Sequence, residues 1–127
     1  MAKASVYFKI NQPVINRVLR AQQTALEQTG EWLHTDVVQS QTMPWRTGHL
    51  QDESTYVDHS ESKNGTVSVI SSTPYARRLY FHPEYHFYKG ENPEAGGEWY
   101  KPYFPGGEKA DTLLAAYRNL FRRQSGI

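Results

Sequence analysis

The sequence opens on alternation. Val6, Phe8 and Ile10 interleave with Tyr7 and Lys9, the two-residue period of a strand. Asn11 can cap a following helix, and Pro13 falls in its first turn, where a missing N–H costs nothing. From there Val14, Ile15, Val18, Leu19, Ala25, Leu26, Trp32, Leu33 and Val37 recur at three- and four-residue steps. That spacing predicts a long amphipathic helix from about Gln12 to about Gln41. Gly30 costs such a helix about 1 kcal/mol relative to alanine and admits a bend there.

Pro44 and Gly48 end the helical pattern, so residues 43–50 read as a loop anchored by Trp45 and Leu50. Strands are predicted at about 54–59 and 66–71. Asn64-Gly65 between them is a hairpin signal, because both residues tolerate positive φ. Val67 and Val69 share one face of the second strand, and Tyr56 or Val57 faces the core from the first. A short helix is predicted from Pro74 to about Phe81, carrying Tyr75, Ala76, Leu79 and Tyr80 at helical spacing with Arg77 and Arg78 between them. A final helix, about Lys109 to Arg123, shows a stripe of Leu113, Leu114, Tyr117, Leu120 and Phe121. Arg118, Arg122 and Arg123 suit the negative end of its dipole.

Between the last two helices, residues 82–107 hold four prolines, five glycines and seven aromatics. The composition predicts a long, mostly irregular loop, and the aromatics argue against disorder, since some must be covered. The fold class is therefore α+β in a single domain, 1–127. A long N-terminal helix and a C-terminal helix pack on a small antiparallel sheet, with a long aromatic-rich loop. Such a sheet has edges that invite pairing with another chain.

Composition sharpens this outline. Leu, Ile, Val and Phe make up 25 of 127 residues, a lean aliphatic supply, whereas there are five Phe, nine Tyr and three Trp. Ten of these aromatics lie between Tyr75 and Phe104. The far part of that cluster, Tyr85, Phe87, Tyr88, Trp99, Tyr100, Tyr103 and Phe104 with Arg77 and Arg78, has the residue types of an interface centre. We expect it to form a surface for a neighbour, with core coverage as the competing role.

The formal charge of +1 argues against a dedicated nucleic-acid binder. With no cysteine, disulfides, thiolate metal sites and cysteine nucleophiles are excluded. No apolar stretch reaches signal-peptide or membrane-span length, so no membrane partner is expected.

Candidate chemistry is sparse. His82, Glu84 and His86 would point the same way in an extended chain and could hold a divalent metal. A polar surface loop accounts for the same residues. With Arg77 and Tyr85 these histidines define the alternative function, a small RNA- or metal-dependent hydrolase. No nucleophile elbow, phosphate-binding glycine loop or paired carboxylate is found, and the expectation is a non-enzyme without cofactor or metal.

The order of several short motifs is more specific than any one of them. Pro44-Trp45-Arg46-Thr47-Gly48-His49-Leu50, a hairpin, and Thr73-Pro74-Tyr75-Ala76-Arg77-Arg78-Leu79-Tyr80-Phe81 resemble the tailed-phage head–tail connector and minor capsid family. That family shows a long N-terminal helix, a Pro-x-x-Thr-Gly-x-Leu turn, strands and a Pro-Tyr-Ala helix. Asn92-Pro93-Glu94-Ala95 followed by Trp99 is similar to a signature of its minor-capsid branch. The chain departs from that branch in the inserted stretch 100–107.

The resemblance assigns structural roles to Pro44, Thr47, Gly48, Leu50, Pro74, Tyr75 and Ala76. Tyr75 and Ala76 are expected to pack the short helix against the sheet. It implies a virion protein of the neck or tail-completion ring, present in the host cytoplasm before assembly. Its expected partners are its own copies in a hexameric ring, with a twelve-fold ring as the alternative, and neck proteins such as a head-closure protein and a tail terminator. No sequence-specific nucleic acid is expected.

Overall fold

The computed structural model describes residues 4–44, 50–51 and 54–126. Helix α1 (Gln12–Gln39) is followed by strands β1 (Thr55–Asp58) and β2 (Ser68–Ser71), a short helix α2 (Ala76–Tyr80) and a last helix α3 (Ala110–Ser125). The architecture is α+β, with two long helices and a two-stranded antiparallel sheet.

Helix α1 starts as its sequence dictates. The Asn11 side chain accepts from the Val14 N–H at 3.4 Å, and proline occupies the first turn. Its end is set by Ser40, whose N–H returns to the Asp36 carbonyl at 2.9 Å, and by Gln41, which turns the chain with φ 57°.

The buried side of α1 is made mostly of small residues: Ala21, Ala25, Thr29 and Gly30, with Val37 further on. Small side chains let neighbouring elements approach closely, and two do. Helix α3 runs back along α1. Lys109 before its start bonds Asp36, and Gln124 near its end bonds Gln28. The hairpin lands on Gly30, where an added Cβ would lie 2.6 Å from Val67 Cγ1 and 3.0 Å from Val57 Cγ1. Gly30 thus marks a landing site for the sheet, and α1 continues unbroken through it.

The strand register pairs Tyr56 with Ile70 and Val57 with Val69. Val57 and Val67 therefore face α1, and Tyr56 points outward, 45% exposed. The connection is not the two-residue turn suggested by Asn64-Gly65. It holds a 3-10 turn at Ser62–Asn64, and only Gly65 takes a positive φ, 88°. Asn64 instead donates to Glu61 at 2.7 Å.

Several expectations need correction. Residues 4–10 form no strand. Val6, Tyr7 and Phe8 are 89%, 91% and 84% exposed, because no described residue pairs with them or covers them. Helix α2 is shorter than predicted, with Pro74 outside it. Ala76 is buried there, but Tyr75 is exposed and does not pack the helix down. Pro44 is half-buried and Leu50 is buried as the expected anchor, whereas Trp45, Thr47 and Gly48 lie outside the described residues.

The core is built from Val37, Met43, Leu50, Ala76, Trp99 and Tyr103. Two of these six come from the irregular stretch 82–107. That stretch is sewn down by Asn92, whose amide donates to the Met43 carbonyl at 2.8 Å and to Gln51 at 2.9 Å. Further bonds run from Gly96 N–H to the Thr42 carbonyl and from Glu98 N–H to the Tyr80 carbonyl.

Gly30→Ala should destabilise the protein despite alanine's better helix propensity. Its methyl overpacks two β-branched side chains with little rotamer freedom, for a net loss of about 1–2 kcal/mol. Urea unfolding read by circular dichroism checks the sign.

Candidate functional site

Gly30 and Thr29 are too small to fill the space between α1, β2 and α3. What remains is an apolar groove of about 520 Å3. Leu26, Gly30 and Leu33 form its floor. Val67 and Val69 supply one wall, and Leu113, Leu114 and Tyr117 of α3 the other. Tyr100, Tyr103 and Phe104 also line it. Leu114 and Phe104 stand open at 60% and 53% exposure.

The polar group at this site is structural in kind. Tyr103 donates its hydroxyl to Asp36 Oδ2 at 2.5 Å, and Lys109 Nζ donates to the same oxygen at 3.0 Å. Lys109 also sits over the Tyr103 ring, 5.5 Å from its centre. Burial and the bond to the Asp36 carboxylate push the Tyr103 hydroxyl far above the ordinary tyrosine range. It therefore acts as a fixed donor. Burial likewise raises Tyr100, whose hydroxyl shares a 2.7 Å hydrogen bond with Ser71.

The expected interface residues divide. Trp99 and Tyr103 are 2% and 6% exposed and belong to the core, with half-buried Tyr100 packed against it. Trp99 is corrected from partner-facing to self-facing, while Tyr100 and Tyr103 pack into the core and also border the groove. The lean aliphatic supply is the reason, since aromatics complete the core. Trp99 meets Tyr80 edge-on at 4.9 Å and donates to Ser71 at 3.4 Å.

Tyr88, Phe104, Arg77 and Arg78 remain exposed, Tyr85 is at 36% exposure and Phe87 is half-buried. Arg78 lies 5.7 Å over Tyr85 and donates to its hydroxyl at 3.3 Å, and Tyr85 stacks on His82 at 4.7 Å. His82 is hydrogen-bonded to Glu84 at 2.7 Å, which holds that carboxyl below its usual range. Among the described residues, no three His, Asp or Glu side chains are grouped to hold a metal ion. No described helix is long and apolar enough to cross a membrane.

Sequence reasoning missed the most exposed apolar surface. Alternation predicts a strand for Val6, Tyr7, Phe8 and Ile10, and helical spacing places Val14 and Leu19 on the apolar face of α1. All six are exposed, and the buried residues of α1 begin only at Ala21. A stretch of strand-like alternation with no sheet nearby in sequence was the available signal.

No family model matches the chain, and no curated protein or solved structure matches it either.

Two variants test the division of aromatics. Trp99→Ala should cost about 3–5 kcal/mol of stability, whereas Tyr88→Ala should stay within about 0.5 kcal/mol, as chemical denaturation would show. A third tests Tyr103. Its hydroxyl titrates near 10 when unfolded and far higher when folded, so the unfolded state releases its proton first as pH rises. The stability it contributes is thus whole below about pH 10 and lost above it. Tyr103→Phe should lower stability near neutral pH by about 1–3 kcal/mol and flatten the alkaline decline. Urea titrations across that pH range read both effects.

Proposed function

We propose that this chain is a non-enzymatic assembly protein of a tailed-phage virion. It joins its own copies in a ring at the neck and connects head to tail. The observation that carries the reading is the pair of exposed apolar surfaces: the segment from Val6 to Leu19, and the groove bordered by Leu114 and Phe104. Apolar surface left open on this scale marks a site where another protein chain belongs. The motif order Pro-x-x-Thr-Gly-x-Leu, hairpin, Pro-Tyr-Ala, Asn-Pro-x-Ala…Trp supports the phage assignment, and an α+β fold with a long N-terminal helix is compatible with it.

Two different surfaces on one chain suit head-to-tail contacts, which close into rings. Six copies in the ring is the proposed number, with twelve as the alternative, and a head-closure protein and a tail terminator are the proposed neighbours along the axis. In a phage carrying this gene, inactivating it should leave filled heads and free tails unjoined. Antibody against the chain should decorate the neck in electron micrographs of intact virions. Joined particles in the mutant, or decoration elsewhere, would overturn the reading.

A further inference from the structure

The segment Val6–Ile10 has the alternation of a strand and, among the described residues, no strand partner, and its apolar side chains are among the most exposed of those described. The sheet, for its part, has only two strands among the described residues. The groove is lined by Val67 and Val69 but by no residue of β1, so it is the unpaired side of β2 that opens onto it. An unpaired strand edge beside an apolar groove is a template for one more strand: the backbone pairs with the edge, and alternate side chains fill the groove.

We propose that the segment Val6–Ile10 of one copy adds as a third, antiparallel strand to the free edge of β2 in a second copy, with Phe8 and Ile10 seated in the groove. The inference deepens the self-assembly reading above and rests on it.

The pairing follows from the faces of β2. Val69 faces the groove, and Ile70 faces outward with Tyr56. Setting Phe8 opposite Val69 places Ile10 opposite Val67, apolar against apolar inside the groove. On the outer face the same alignment puts Tyr7 beside Ile70, a favourable aromatic–aliphatic cross-strand pair. It also puts Lys9 beside Ser68, whose other neighbour is Asp58. Two strand spacings, about 10 Å, separate Lys9 from that carboxylate, within reach of a lysine side chain. The parallel alignment would instead set Lys9 beside Ile70 and leave Asp58 without a cation.

The donor must be another copy, because the segment cannot reach its own groove. Gly30, beneath Val67, lies about 27 Å along the helix from Gln12 at 1.5 Å per residue. Folded straight back from Gln12, Phe8 covers at most about 14 Å. It falls short even of Leu26, about 21 Å along. Each copy therefore offers one donor strand and one acceptor groove, two different surfaces, as a head-to-tail assembly requires.

The chain has no cysteine, which makes the test direct. In the full chain, Tyr7→Cys combined with Ile70→Cys, oxidised at a concentration where the wild type self-associates, should give a ladder of covalently joined subunits on a non-reducing denaturing gel. Phe8→Asp should weaken self-association in light scattering by at least about tenfold, the loss expected for a buried interface anchor, with its unfolding midpoint unchanged. A missing ladder, a cross-link confined to single chains, or association unaltered by Phe8→Asp would overturn the strand exchange while leaving self-assembly in place. A wild-type chain that stays monomeric at every concentration would overturn both.

Discussion

One indole ties this fold together. Trp99 sits at 2% exposure among Val37 of α1, Met43, Leu50 and Ala76 of α2, and its N–H reaches Ser71 at the end of β2. Tyr80 of α2 meets the indole edge-on at 4.9 Å. A chain of this length has one modest core to work with, and this chain supplies few aliphatic residues for it. Trp99 and Tyr103 make up the volume. Their burial draws the irregular stretch onto the domain, and that stretch brings its own polar fastenings: Asn92 on the Met43 carbonyl, and Tyr103 with Lys109 on Asp36. The loop holds its shape through these contacts together with local turns, among them a 3-10 turn at Lys101–Tyr103.

The second constraint is the small-residue face of α1. Ala21, Ala25, Thr29 and Gly30 allow α3 and the hairpin to come close along the middle of the helix. Close approach in one place leaves space in another, between α1, β2 and α3. The groove is the outcome. Thr29 and Gly30 belong to both, permitting the packing and lining the groove.

The exposed apolar residues in and before the first turns of α1 fall outside this packed unit. Val14 and Leu19 continue the pattern of α1 beyond the turns that α3 and the hairpin cover, and residues 4–10 extend it further. Within one chain these positions stand against the hydrophobic effect. They become favourable only when a second surface removes them from water. The same physics accounts for both the groove and the extension as parts of one contact, each lacking what the other carries.

By itself the sequence determined the elements that rest on local chemistry. Asn11 and Pro13 set the start of α1, the stripe around Leu113 and Tyr117 forms α3, valine alternation marks β2, and Pro-Gly density marks the irregular loop. All of these appear in the structure close to their expected bounds. The tertiary structure alone decided which apolar residue serves which purpose. Periodicity reports that a face is apolar and is silent on what lies opposite it. So Trp99 and Tyr103 became core although their composition resembled an interface, Gly30 became a landing site although it looked like a bend, and Val6, Phe8 and Ile10 kept a strand's alternation with no strand to join. Covering an apolar face requires a second surface at contact distance, and the described residues supply one to Trp99 and Tyr103 and none to residues 4–10.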